Sequence, residues 1–415
     1  MFIHSVAAAP QQLIAGMVAR ADELTDAANR VQLYHIHTEG PATYTEARYR
    51  DTFFTNVLFT AANTRDAVND GRAAYIPCFL GEIPRLFLKG YVPLDVALLT
   101  VSPPDRHGFC SLGTSVDVSA AALRCAKHVV AQINRNMPRT HGDALVHVNS
   151  FDVVLEAHDA LPEHRIPPPD DIERAIGRHV APLVEDGACL QLGIGSLPNA
   201  VLAELTNHKN LGVWTEMFSD GLLGLVESGA VNNSLKKLRP HQTVATFVYG
   251  SRKLYDFLDD NTSVAMLRVE TTNSPATIAV NDRVTAINSA VEVDLTGQVC
   301  ADSIGPRIYS GVGGQVDFMS GSMRSEGGKA IIALPSVTSK GKSRIVPELT
   351  PGAGVVTTRA HVHHVCTEHG VVDLFGLNMW ERAEKLISIA HPMHRDKLWN
   401  DLVKRAPQWT PHLTK

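Results

Sequence analysis

The chain contains no Cys-x-x-Cys pair, no Gly-x-Ser-x-Gly elbow, no Gly-x-x-x-x-Gly-Lys-Ser/Thr loop and no long uninterrupted apolar run. Each absence removes a class of protein. Its six cysteines (Cys78, Cys110, Cys125, Cys189, Cys300, Cys366) are scattered and suggest neither a disulfide framework nor a zinc knuckle, which fits a reducing, cytoplasmic setting. Serine and thiol hydrolases lack their local signatures, and so does a P-loop nucleotide-binding protein. No run approaches the ~18 apolar residues that would span a bilayer, and MFIHSVAAAP lacks the basic start and apolar core of a secretion signal. Positive charge is also short, with Lys+Arg 38 against Asp+Glu 43 for a net −5, so neither nucleic acid nor a membrane is an expected partner. No short-period repeat or low-complexity tract points to a solenoid or a disordered chain.

What is present is α/β alternation over 415 residues, enough for two domains. PQQLIAGMVARADEL (10–24) has helical spacing. VQLYHIHT (31–38), AAYIPCFL (73–80), VDVALLTVS (95–102), KHVVAQIN (127–134) and DALVHVN (143–149) read as mostly buried strands. The proline-rich EAHDALPEHRIPPPDD (156–171) continues neither a helix nor a central strand and marks a boundary. Alternation then resumes with a helix over 172–184, a strand over 187–195 and a helix over 197–205. The expectation is two open-sheet α/β domains, 1–165 and 172–415, with ligands gathered in the cleft outside the carboxyl ends of the strands.

Four stretches have chemical potential. QLGIGSLPNA (191–200) is a strand, a Gly193–Ser196 turn and a helix start, where Gly193 and Gly195 allow close backbone approach to an anion. It lacks the third glycine of a dinucleotide fingerprint, and an ordinary tight turn explains it equally well. YSGVGGQVDFMSGS (309–322) is a second glycine-rich segment, read as a loop, whose N–H groups at Gly311, Gly313 and Gly314 and hydroxyls at Ser320 and Ser322 suit an oxyanion or a phosphate. HVHHVCTEHG (361–370) bunches His361, His363, His364, Cys366 and His369, but strand alternation splits them between faces and no second Cys/His tract completes a ligand set, so no metal site is expected. Finally, LGVWTEMFSDG (211–221) sets Glu216 in an apolar run. A carboxylate there is either paired and half-exposed or in use, for instance as a nucleophile toward acyl groups.

Taken in order, the blocks HIHTEGP (35–41), EIPRLFLKGYVPLDVALLTVSPPDRHGFCSLGTSVDVS (82–119), MPRTHGD (137–143), LGIGSLPNAV (192–201), TEMFSDG (215–221), INSAVEVDLTGQV (287–299), GVGGQVDF (311–318), CTEHGVVDL (366–374) and ERAEKLISIAHP (381–392) resemble the acetyl-CoA hydrolase/transferase family. The likeness is greatest to its 4-hydroxybutyrate CoA-transferase-like branch, within the class I CoA-transferases. It covers nearly the whole chain. It implies two α/β domains shared in type with sugar-phosphate isomerases, a homo-oligomer, and transfer of coenzyme A between an acyl-CoA and a small carboxylate without metal or ATP. It also implies a glutamyl-CoA thioester on Glu216 rather than on Glu292 of the INSAVEVD block. By the same resemblance the two glycine turns supply oxyanion donors, Asn273 lies near the substrate carboxylate, and Glu368 is a supporting acid. Coenzyme A is expected along 311–322 and KGKSRIVP, near Lys340, Lys342 and Arg344. Relatives have a strand before HSVAAAPQQLI, so the first domain is expected to lack its opening strand. Hydrolysis of acyl-CoA through the same glutamate is the alternative, and a catalytically silent acyl-CoA-binding protein is a further one.

Overall fold

The computed structural model describes residues 1–26, 29–193 and 195–409. Short Val-, Ile- and Leu-rich runs of the first half form one sheet: β1 (Phe2–Ile3), β2 (Val31–His35), β3 (Phe53–Val57), β4 (Ala73–Tyr75), β5 (Val96–Val101), β6 (His128–Ile133) and β7 (Val153–Glu156). The order is β7-β6-β5-β1-β2-β3-β4, and every pairing is parallel. Central strands of such a sheet are covered on both faces, which explains the continuous apolar run of β5. Edge strand β7 is exposed along its length.

Two expectations need correction here. The opening strand is not missing: Phe2 and Ile3, both fully buried, sit between β2 and β5, with Phe2 opposite Tyr34 and Ala97 and Ile3 opposite Leu98. Two residues suffice because longer neighbours flank them on both sides. DALVHVN is not part of the sheet. Only Leu145–His147 is a strand, antiparallel to Phe109–Ser111, because His141 and Gly142 pair with Ala265 and Met266 and the Asp143 N–H donates to the Met266 carbonyl.

The second sheet contains β8 (Cys189–Leu192), β9 (Gly212–Val213), β10 (Val284–Ser289), β11 (Lys329–Ala333), β12 (His364–Thr367) and β13 (Gly370–Asp373), ordered β9-β8-β10-β11-β12-β13. All are parallel except the β12–β13 hairpin. Between the sheets, residues 157–170 hold neither helix nor strand, as their prolines require. Helix α1 (Asp171–Val180) follows, started by a capping box of Asp170 and Glu173. Helix α2 (Ser196–Glu204) follows β8. The halves also share smaller sheets: His141–Gly142 pairs with Val264–Met266, which pairs with Thr243–Ala245. One apolar cluster runs through both, from Phe2 and Leu99 to Leu190 and Ile331.

Candidate active site

Glu216 lies three residues beyond the end of β9, at the carboxyl edge of the second sheet. Its neighbours fix its backbone. Trp214 bridges to Val244, the Thr215 N–H donates to the Val244 carbonyl, and the Glu216 carbonyl accepts from the N–H groups of Thr246 and Phe247 at 2.9 and 3.1 Å. The fully buried Trp214 also donates its Nε1–H to the Thr272 carbonyl at 2.9 Å, pinning the short helix α3 (Val269–Thr272) against this segment. The residue after α3 is Asn273. Its Nδ2 donates to Glu216 Oε2 at 2.8 Å and to Asp317 Oδ2 at 3.2 Å.

Asp317 sits in the first turn of helix α4 (Gln315–Arg324), which starts directly after the glycine run. A Cβ on Gly314 would stand 1.8 Å from Glu216 Oε2 and 2.3 Å from Asn273 Nδ2, so only glycine fits there. The 311–314 turn is docked on the first half of the chain. A Cβ on Gly311 would meet the Phe59 ring at 2.9 Å, the Tyr75 hydroxyl accepts from the Val312 N–H at 3.0 Å, and the Gly313 carbonyl accepts from the Leu80 N–H at 3.0 Å. The Gly81 N–H donates to Asp317 Oδ2 at 3.2 Å. Among the described residues, the N–H groups of Gly313 and Gly314 have no acceptor.

This surrounding is apolar and poor in positive charge. Burial pushes the Glu216 carboxyl up to about 7, with the Asn273 hydrogen bond opposing and the negative charges of Asp317 and Asp117 adding to the rise. Burial likewise raises Asp317 to about 6, against the donors Asn273 and Gly81 and with help from Glu82. Near neutrality Glu216 is thus a basic carboxylate that still ionises. The cysteines are no rivals. Burial moves all six thiols upward, Cys78 to about 11 beside Glu82 and Asp317, and Cys366 to about 12.

The structure brings Glu216, Asn273, Gly313 and Gly314 together. The Gly193–Ser196 turn is reached less directly, through the Thr215 hydroxyl on the Leu192 carbonyl at 3.4 Å, and Ile194 within it lies outside the described residues. Gly193 faces open space and Gly195 has a φ of +129°, while the Ser196 hydroxyl is taken by Glu173. Other expectations are overturned. Glu368 does not support Glu216: it follows β12, four strands from β9 or about 19 Å by strand spacing, and accepts from the Ser336 N–H and hydroxyl at 2.8 and 2.5 Å. The 309–322 segment is loop only as far as Gly314, since 315–324 is helix, and Ser322 is wholly buried with its hydroxyl on the Met319 carbonyl. Ser320 is buried too. Lys340 and Lys342 are exposed on a turn, whereas Arg344 is half-buried, its Nη1 donating to the Ala290 carbonyl at 3.4 Å. Glu292 accepts from Thr350, as an ordinary strand residue would. His361 and His363 precede β12 rather than alternate along it, and no His/Cys/Asp/Glu group suited to a metal occurs among the described residues. Sequence reading missed Asp317 and Gly81, although both lie in quoted blocks or next to one.

Family models cover both halves: the acetyl-CoA hydrolase/transferase N-terminal domain matches residues 1–163 and the C-terminal domain matches 250–402. The chain belongs to the acetyl-CoA hydrolase/transferase family. Within that family it lies closer to transferases. It is 52% identical to a succinyl-CoA:acetate/propanoyl-CoA:succinate CoA transferase of Fasciola hepatica over 96% of this chain and 83% of that one. It is 48% identical to the 4-hydroxybutyrate coenzyme A transferase of Clostridium kluyveri, over 98% and 94%. An acetyl-CoA hydrolase of Candida albicans is 26% identical over 88% and 78%. Among solved structures, RipA from Yersinia pestis aligns with a TM-score of 0.91 at 33% identity, covering 97% of this chain and 93% of that one. A 4-hydroxybutyrate CoA-transferase of Porphyromonas gingivalis aligns at 0.83 and 36% identity, over the same shares.

Proposed function

We propose that this family member transfers coenzyme A between an acyl-CoA and a small carboxylic acid, with Glu216 as the nucleophile. The observation that carries the reading is the contact of Glu216 with Gly314 and Asn273: a carboxylate of raised basicity beside an amide donor and unpaired backbone N–H groups. The Glu216 carboxylate attacks the acyl carbonyl, and the CoA thiolate leaves to give a mixed anhydride. The thiolate then attacks the glutamyl carbonyl, releasing the first acid and leaving a glutamyl-CoA thioester. A second carboxylate reverses both steps. Negative charge passes over carbonyl oxygens at each stage, and the N–H groups at Gly313, Gly314, Gly193 and Gly195, with Asn273 Nδ2, are the donors assigned to it. One such donor is typically worth about 3 kcal/mol of barrier. The exposed Lys340 and Lys342 are assigned to the coenzyme's phosphates; Arg344 is too buried for that role. Two domains meeting near 157–170, a homo-oligomeric state and a cytoplasmic location complete the reading.

Relatives called acetyl-CoA hydrolases favour one second reading, water in place of the acceptor acid. The deciding assay incubates the protein with acetyl-CoA or butyryl-CoA, with and without a panel of acids including acetate, butyrate, 4-hydroxybutyrate and succinate. Transfer gives a new acyl-CoA and an adduct on Glu216 sensitive to hydroxylamine and borohydride, while acid-independent CoA release marks a hydrolase. A Glu216→Ala protein of unchanged activity would refute both.

A further inference from the structure

Asp317 does nothing in the reaction just described, yet it shares a hydrogen-bond donor with the nucleophile. Asn273 is 1% exposed, and its Nδ2 reaches two carboxylates, one from the segment after β9 and one from α4. Ionised carboxylates only accept, so the amide must present its NH2 to both. The other end of the amide shows the strength of that constraint: Asn273 Oδ1 is buried with no donor among the described residues. A single contact to Glu216 would not hold this orientation through the catalytic cycle. Once Glu216 is acylated its oxygens lose their charge and the contact weakens. The amide could then turn over and offer Oδ1 where an oxyanion next forms.

We propose that Asp317 is the positioning residue of this site, locking the Asn273 NH2 toward Glu216 and tying that lock to the first half of the chain through the Gly81 N–H. The proposal rests on Glu216 being the nucleophile. Asp317 is not acylated in the proposed cycle, so it retains one hydrogen of the NH2 while the other follows the charge on Glu216. The 78–83 segment, to which Gly81 belongs, is continuous with the contact of Leu80 on Gly313. One carboxylate therefore joins the donor amide, the glycine turn and the opposite half of the chain. The charged and titratable groups around it are Glu216 after β9, Glu82 and Cys78 on the 78–83 segment and Arg85, which pairs with Glu82 at 3.3 Å, with Asp117 also facing Glu216; among the described residues no cation pairs with Asp317 itself. Removing its negative charge makes Glu216 easier to ionise while loosening the donor.

The test compares wild type, Asp317→Asn and Asp317→Glu in single-turnover formation of the Glu216 adduct from acyl-CoA, across pH. For Asp317→Asn we expect adduct formation slowed about tenfold or more, with KM for acyl-CoA within about threefold of wild type. The acid limb of its pH profile should move to lower pH. Asp317→Glu, which keeps the charge, should hold the wild-type limb and recover part of the rate. Wild-type rate and limb in Asp317→Asn would overturn the proposal, as would a loss confined to KM and melting temperature with the limb unmoved. If Asp317→Asn fails to fold, Asp317→Glu decides alone: slower adduct formation at an unshifted limb supports the role, and a wild-type rate overturns it. A wild-type protein that forms no adduct would instead refute the nucleophile assignment, and the positioning role with it.

Discussion

At the scale of single residues, Glu216 carries opposite demands, because burial that raises the basicity of its carboxylate also makes its charge costly. Its carboxyl rises from the usual 4.5 to about 7, so between those values the folded protein holds a proton that the unfolded chain has lost. Stability must therefore fall as pH rises through that window, by at most about 3 kcal/mol. Glu216→Gln removes this slope. Urea midpoints at pH 5 and pH 8 should show the variant gaining on wild type at the higher pH, while transferase activity drops at least about a thousandfold. Gly314→Ala gives the complementary result. Its methyl would overlap Oε2, and a misplaced carboxylate should cost about a hundredfold in kcat with the fold retained, as read by circular dichroism and steady-state rates. Glu216 was legible as a carboxylate set in an apolar run, and Asn273 through the family resemblance alone. Asp317 was not: its role comes from an amide and an N–H that approach it across 44 and 236 residues of sequence. Glu368 misled for the same reason, since a carboxylate ending an apolar run looks alike at β9 and at β12.

At the scale of elements, the site depends on how two short pieces are pinned. Helix α3 has four residues and no intrinsic stability, and Trp214 holds it by one indole hydrogen bond. Trp214→Phe should destabilise the protein by about 2 kcal/mol and lower kcat by releasing Asn273, to be checked by urea unfolding alongside rates. Helix α4 escaped sequence reading because Ser320, Gly321 and Ser322 dilute its apolar pattern, though all three are buried. Packing against the chain, not periodicity, makes those residues helical. Strands were easier: β5 and β6 have six mostly apolar residues each, and the four residues of β8 are all buried inside their sheet. Edge strand β7 and the two-residue β1 lack the length or the burial pattern that identifies a strand in isolation.

At the scale of the molecule, the glycine turn of one half is seated on Phe59, Tyr75 and Leu80 of the other, and we expect access of water to Glu216 to depend on that seating. Tyr75→Phe deletes the hydroxyl that receives the Val312 N–H. We expect CoA release without acceptor acid to rise severalfold relative to transfer, measured as the ratio of free thiol to new acyl-CoA. The scattered cysteines acquire a meaning at this scale as well. An enzyme bathed in thioesters risks losing acyl groups to its own sulfur by exchange, and that exchange requires a thiolate. Burial pushes every sulfhydryl of this chain upward, including Cys78 beside Glu82 and Asp317. Under the proposed mechanism this favours the coenzyme's sulfur over the protein's own as partner for the acyl group and guards against arrest as an S-acylated dead end.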